Sequence, residues 1–174
     1  MATHFQTIST LFVCVCIVVI LYDILFRRVS NRLLLTAGLV HVGWLAFFGH
    51  GLGGIDPWQS LLGGAIGFAL FIPLYALRAM GAGDVKFFAL LGFMMGPQYL
   101  IPLWLIGSVL AGVHAAVWYV STRSPVMAST TWQRIQGLVV SSHMYRTLLE
   151  RRAGRRGIPY AAYLAIAAIF IWVG

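Results

Sequence analysis

Apolar runs long enough to cross a bilayer recur six times along these 174 residues and leave little chain for anything else. A transmembrane helix needs about 20 mostly apolar residues. Such runs occupy about 7–26, 33–50, 58–77, 85–120 and 158–173, and Gly96-Pro97-Gln98 divides the long fourth run in two. Charged residues make up 9% of the chain, against roughly 25% in a soluble domain, so a water-soluble enzyme is excluded. The net charge of +8 does not point to nucleic acid, because the charges sit in the gaps between apolar runs. The expected fold is all-α: one polytopic membrane domain, residues 1–174, with six transmembrane helices. The first run is not expected to be a cleaved signal, because it lacks a basic start and ends at Asp23 and two arginines, without a small-residue cleavage site.

The basic residues set the orientation. Arg27, Arg28 and Arg32 follow the first run, and Arg78 and Lys86 separate the third from the fourth. Arg123, Arg134, Arg146, Arg151, Arg152, Arg155 and Arg156 separate the fifth from the sixth, which accounts for all 12 Lys and Arg. With six spans those three connections share one side. The positive-inside rule makes it the cytoplasm and puts both termini outside. In the connection at about 121–157, Trp132, Ile135, Leu138 and Val139 recur at helical spacing ahead of Leu148, Leu149 and four arginines. Ser129 or Thr130 can cap such a helix and Gly154 can end it. Two readings stay open: a basic amphipathic helix lying on the anionic inner leaflet, or a plain charged tether that enforces topology.

Only four acidic residues occur. Asp56, before Pro57, suits a turn, and Glu150 suits a surface ion pair among arginines. Asp23 and Asp84 both fall at the cytoplasmic ends of apolar helices, and carboxylates at membrane depth are functional candidates by default. Bland roles exist for each. Asp23 stands four residues before Arg27, a spacing for a local ion pair, and Asp84 can cap the helix it precedes. Neither role explains why both share one face of the bilayer.

Asp84 lies in Met80-Gly81-Ala82-Gly83-Asp84-Val85-Lys86. Gly81 and Gly83 remove side chains where backbone must approach, and they permit positive φ. An extended peptide laid against this loop would reach the Asp84 carboxyl. Lys86 can hold a carboxylate ionised or bind a loop carbonyl. Two carboxyls within a few ångström share one proton. The ionised one then takes a proton from an attacking water, while the protonated one supports the oxyanion and the leaving amine. This is aspartic-protease chemistry and calls for no metal or cofactor.

These residues resemble a known family. Gly81 to Lys86 is similar to the GxGDxK signature of bacterial type IV prepilin peptidases, membrane aspartic proteases of the GxGD class. Asp23, followed by Arg27, Arg28 and Asn31, resembles that family's first catalytic aspartate with its basic residues and I-P-N, with Ser30 in place of the proline. Gly157-Ile158-Pro159-Tyr160-Ala161 resembles its late I-P-Y/F-small motif. The resemblance implies Asp23 and Asp84 as catalytic residues, with Gly81, Gly83, Lys86, Asn31 and Arg27 binding substrate or supporting the loops. It implies cleavage of a basic leader from Flp-type prepilins at the inner face of the bacterial cytoplasmic membrane, after a glycine. Long members carry a cytoplasmic domain with paired cysteines linked to N-methylation; this chain matches the short form, so methyltransferase activity is not expected.

Other residues read as packing. Cys14 and Cys16 sit about 200° apart around one helix and can share neither a metal nor a disulfide. His41, His50 and His114 lack metal-ligand spacing, and Gly63, Gly64 and Gly67 suit close helix packing. The rival functions are a small transporter that binds a cation or relays protons through Asp23 and Asp84, and a scaffold whose aspartates only cap helices. Inverted repeats, which would favour transport, are not evident.

Overall fold

The computed structural model describes residues 2–123 and 158–173, and every regular element among them is helical. These are α1 (Ala2–Phe26), α2 (Asn31–Phe48), α3 (Pro57–Ala76), α4 (Ala82–Met95), α5 (Leu100–Arg123) and α6 (Tyr160–Val173). Short 3-10 turns at Leu52–Gly54 and Pro97–Tyr99 join α2 to α3 and α4 to α5. Residues 124–157, and with them both readings of the basic connection and Glu150, lie outside the described residues.

The boundaries follow local chemistry. Gly49 closes α2 in the left-handed region at φ 73°, where a Cβ would be penalised. Asp56 and Pro57 open α3, and Gln59 Oε1 accepts the Asp56 N–H at 3.3 Å, so the turn expected at Asp56 is a helix start. Gly96, at φ 92°, ends α4 ahead of Pro97.

α1, α2, α3 and α5 are long and apolar enough to cross a membrane, and this is a membrane protein. α4 and α6 have only 14 residues each, about 21 Å of helix against a hydrocarbon layer of about 30 Å. These two short helices form the centre. α4 buries Val85, Phe87, Phe88, Leu91 and Met95, and α6 buries Ala161, Ala162, Leu164, Ala165 and Ala168. Large apolar side chains such as Phe47, Leu39 and Val109 point outward, as a chain solvated by lipid allows.

α3 lies along α4 at backbone contact. A Cβ on Gly63 would overlap the Gly92 carbonyl, and one on Gly92 would overlap that of Gly63. Phe71 stacks on Phe88 beside them, 3.9 Å between centroids and 6° between planes. The small residues of α3 thus serve packing within the chain. α6 lies between α1 and α5. Tyr160 and Ser108 hydroxyls meet at 3.0 Å, and the Tyr163 hydroxyl meets His114 Nδ1 at 2.6 Å. α2 rests on α4 through Gly38 on Leu90 and His41 edge-on to Phe93. It scarcely touches α3. Cys14 faces outward, Cys16 is buried, and both are free thiols.

Candidate active site

Four elements meet at one end of the bundle: the last turn of α1, the start of α2, the α3–α4 connection and the residues opening α6. They enclose a pocket of about 530 Å³ lined by Asp23, Arg27, Asn31, Gly81, Gly83, Asp84 and Lys86. Those are all seven residues singled out in the sequence. Arg28, Val29, Ala82 and Ile158 complete the lining.

Asp23 is only 5% exposed. Its Oδ2 accepts the Ala162 N–H at 3.0 Å, and the Ala161 N–H faces the same carboxyl. Arg27 lies within electrostatic reach, so the spacing of four brings the two charges near each other. Arg27 itself closes α1 in the left-handed region at φ 52°, its N–H donating to the Asp23 carbonyl at 2.9 Å. An arginine in that region costs roughly 1–2 kcal/mol relative to the right-handed one, so the turn is held by its surroundings.

Asp84 is half-buried. It occupies the third position of α4, not the cap. The cap is Gly81, whose N–H donates back to Asp84 Oδ2 at 3.3 Å. Its carboxyl also faces the Ala161 N–H and feels the charge of Asp23. One amide at the start of α6 thus serves both aspartates.

Two expectations need correction. Gly81 sits at φ −75°, ψ 145°, and neither it nor Gly83 adopts positive φ. What these glycines supply is closeness. A Cβ on Gly83 would lie 3.1 Å from that of Val29, and one on Gly81 would lie 3.0 Å from Asp84 Oδ2. Lys86 donates to the side-chain oxygen of Asn31 at 3.2 Å, so its partner is neither a carboxylate nor a loop carbonyl, and the pair ties α2 to α4. Ser30 holds φ −72°, inside the range a proline ring imposes, so this loop has the backbone that the usual proline would give. His41 is packed, but neither ring nitrogen has a hydrogen-bond partner among the described residues.

The sequence did not single out the amides of Ala161 and Ala162. Their local signal is Pro159, one residue before α6, in the motif that ends at Ala161. A proline there marks a helix start but names nothing that the exposed amides will meet.

A model of the type IV leader peptidase family matches residues 10–116, which include both aspartates. The chain is also similar to the prepilin leader peptidase/N-methyltransferase of Bacillus subtilis (strain 168), 27% identical over 113 residues. That alignment covers 62% of this chain and 43% of the relative, so the chain spans less than half the relative's length. No solved structure matches.

Proposed function

The chain belongs to the type IV leader peptidase family, and we propose that it is an aspartic endopeptidase cutting the basic leader from Flp-type prepilins. The observation carrying this reading is the pocket that brings Asp23 and Asp84 together under the first amides of α6. In this reading the six helices cross the bacterial cytoplasmic membrane, both termini lie outside, and the pocket opens at the cytoplasmic face. N-methylation belongs to the name of the relative and is no part of the proposal. Membership of a peptidase family does not favour the transporter.

The chemistry follows from two carboxyls holding one proton between them. The ionised carboxylate takes a proton from water as the water oxygen bonds to the scissile carbonyl carbon. The protonated carboxyl donates a hydrogen bond to the carbonyl oxygen as it gains charge. When the carbon–nitrogen bond breaks, that carboxyl's proton passes to the amine, and the water's proton stays on its partner. One water is consumed and the pair ends with one proton again. The amides of Ala161 and Ala162 fix where the carboxyls point, and Gly81 and Gly83 let Val29 and the Asp84 carboxyl pack closely against the loop.

Co-expression with a Flp-type prepilin tests this by the mass lost from the precursor. Wild type should remove the leader. Asp23→Asn and Asp84→Asn should each lower cleavage by about 10²–10⁴-fold at unchanged membrane levels. Cleavage by either Asn variant at the wild-type rate would remove that residue from the mechanism.

A further inference from the structure

A second hollow adjoins the catalytic pocket. Of about 800 Å³, it runs along α4 between α2 and α3 and shares Asn31 and Lys86 with the pocket. Past that threshold its lining is apolar, with Leu35, Leu61, Phe68 and Phe93 as walls and Ala65 and Ala89 among its small residues. The groove exists because α2 and α3 both lean on α4 and scarcely touch each other. His41 against Phe93 marks its far limit. Leu35, Leu61 and Phe68 are 65%, 58% and 46% exposed.

We propose that this groove seats the first turns of the substrate's own transmembrane helix, so that the peptide just before that helix crosses the catalytic pocket. The proposal rests on the prepilin reading above and names the surface by which such a substrate is held. Three observations select this occupant. The groove is continuous with the pocket at Lys86 and Asn31, so one chain can occupy both without leaving the protein. Small residues beside α4 let another helix backbone approach closely. From Lys86 to Phe93 the groove follows about 10 Å of α4, the rise of two helical turns. A free leader peptide would fill the pocket and leave the groove empty. A substrate with an apolar helix directly after the cut fills both.

Two measurements test this. In the first, Ala65→Trp fills the groove, and Ala116→Trp places the same bulk on an exposed face of α5. Each is assayed on a membrane-embedded Flp-type prepilin and on a soluble peptide spanning the cleavage site. Ala65→Trp should lower the ratio of prepilin to peptide cleavage about tenfold or more, and Ala116→Trp should leave that ratio unchanged. In the second, which needs no turnover, the Asp84→Asn protein without Cys14 and Cys16 carries one cysteine, Ala65→Cys or Ala116→Cys. Oxidation should link only the first to cysteines in the opening turns of the prepilin helix. An unchanged ratio for Ala65→Trp would overturn the proposal, as would equal cross-linking from both positions, or Ala65→Cys linking only to a second copy of the enzyme. Wild type that cleaves neither substrate would instead count against the peptidase reading, and the cross-linking would still decide the groove.

Discussion

Asp23 and Asp84 share a pocket but stand at opposite ends of their helices. Asp84 lies in the first turn of α4, where free N–H groups and the positive end of the helix dipole favour a carboxylate. Asp23 lies in the last turn of α1, where the same dipole opposes one. The difference explains the hydrogen bonds. Asp84 draws on its own helix through Gly81, and Asp23 draws on a distant one through Ala162. A carboxylate at a helix C-terminus needs a borrowed N-terminus, and α6 supplies it. The Asp84 side is built largely within its own helix, which the Gly63–Gly92 contact clamps to α3, and it takes from α6 only the shared Ala161 amide. The Asp23 side is completed only when α6 docks.

Breaking the clamp should have the largest effect. Gly92→Ala sets a methyl group against the Gly63 carbonyl, a backbone atom that cannot swing aside, and this overpacking should cost about 3 kcal/mol, the upper end of the usual range. Membrane level and the temperature of thermal aggregation should both fall. A Gly92→Ala protein as abundant and heat-resistant as wild type would show that α4 does not depend on this contact.

The borrowed bond should give the next effect. Ala162→Pro removes the N–H that Asp23 accepts while keeping a residue that a first helical turn tolerates. Prepilin cleavage should fall by about 10–100-fold, which corresponds to roughly 1.4–2.7 kcal/mol of lost positioning. Ala162→Gly, which keeps the N–H, should stay close to wild type. Equal activity in the two variants at equal membrane levels would mean that Asp23 does not need α6.

The smallest effect is expected at Ser30, between α1 and α2. Its φ of −72° already suits proline, so Ser30→Pro should stabilise by about 0.4–1 kcal/mol, chiefly by restricting the unfolded chain. Thermal aggregation should shift upward by a few degrees and cleavage should hold. A loss of cleavage would show that this loop must move between conformations during turnover.

Much of this architecture is legible in the order of the residues. The six helices among the described residues lie where the apolar runs put them, because hydrophobic length is a property of consecutive residues. The seven candidate residues line one pocket, because α1 ends and α2 and α4 begin at the same end of the bundle. The roles of Gly81, Gly83 and Lys86 are not legible in that way. A glycine's sequence signal is the same whether it is needed for positive φ or for closeness, and only Val29 packed on Gly83 separates the two. Lys86 has several acceptors open to it in sequence, and the approach of α2 to α4 decides for Asn31.

An all-helical membrane chain, the places where its helices start and stop, and two aspartates at one end of the bundle all follow from local sequence. Hydropathy, charge and helix-ending residues act over a few neighbouring positions, and the chain carries them openly. What each aspartate touches is settled by packing instead. The Ala162 N–H meets Asp23 across 139 positions of sequence, and a backbone amide bears no side chain to announce it. The partner exists only because α6 packs between α1 and α5 with its first turn facing the pocket.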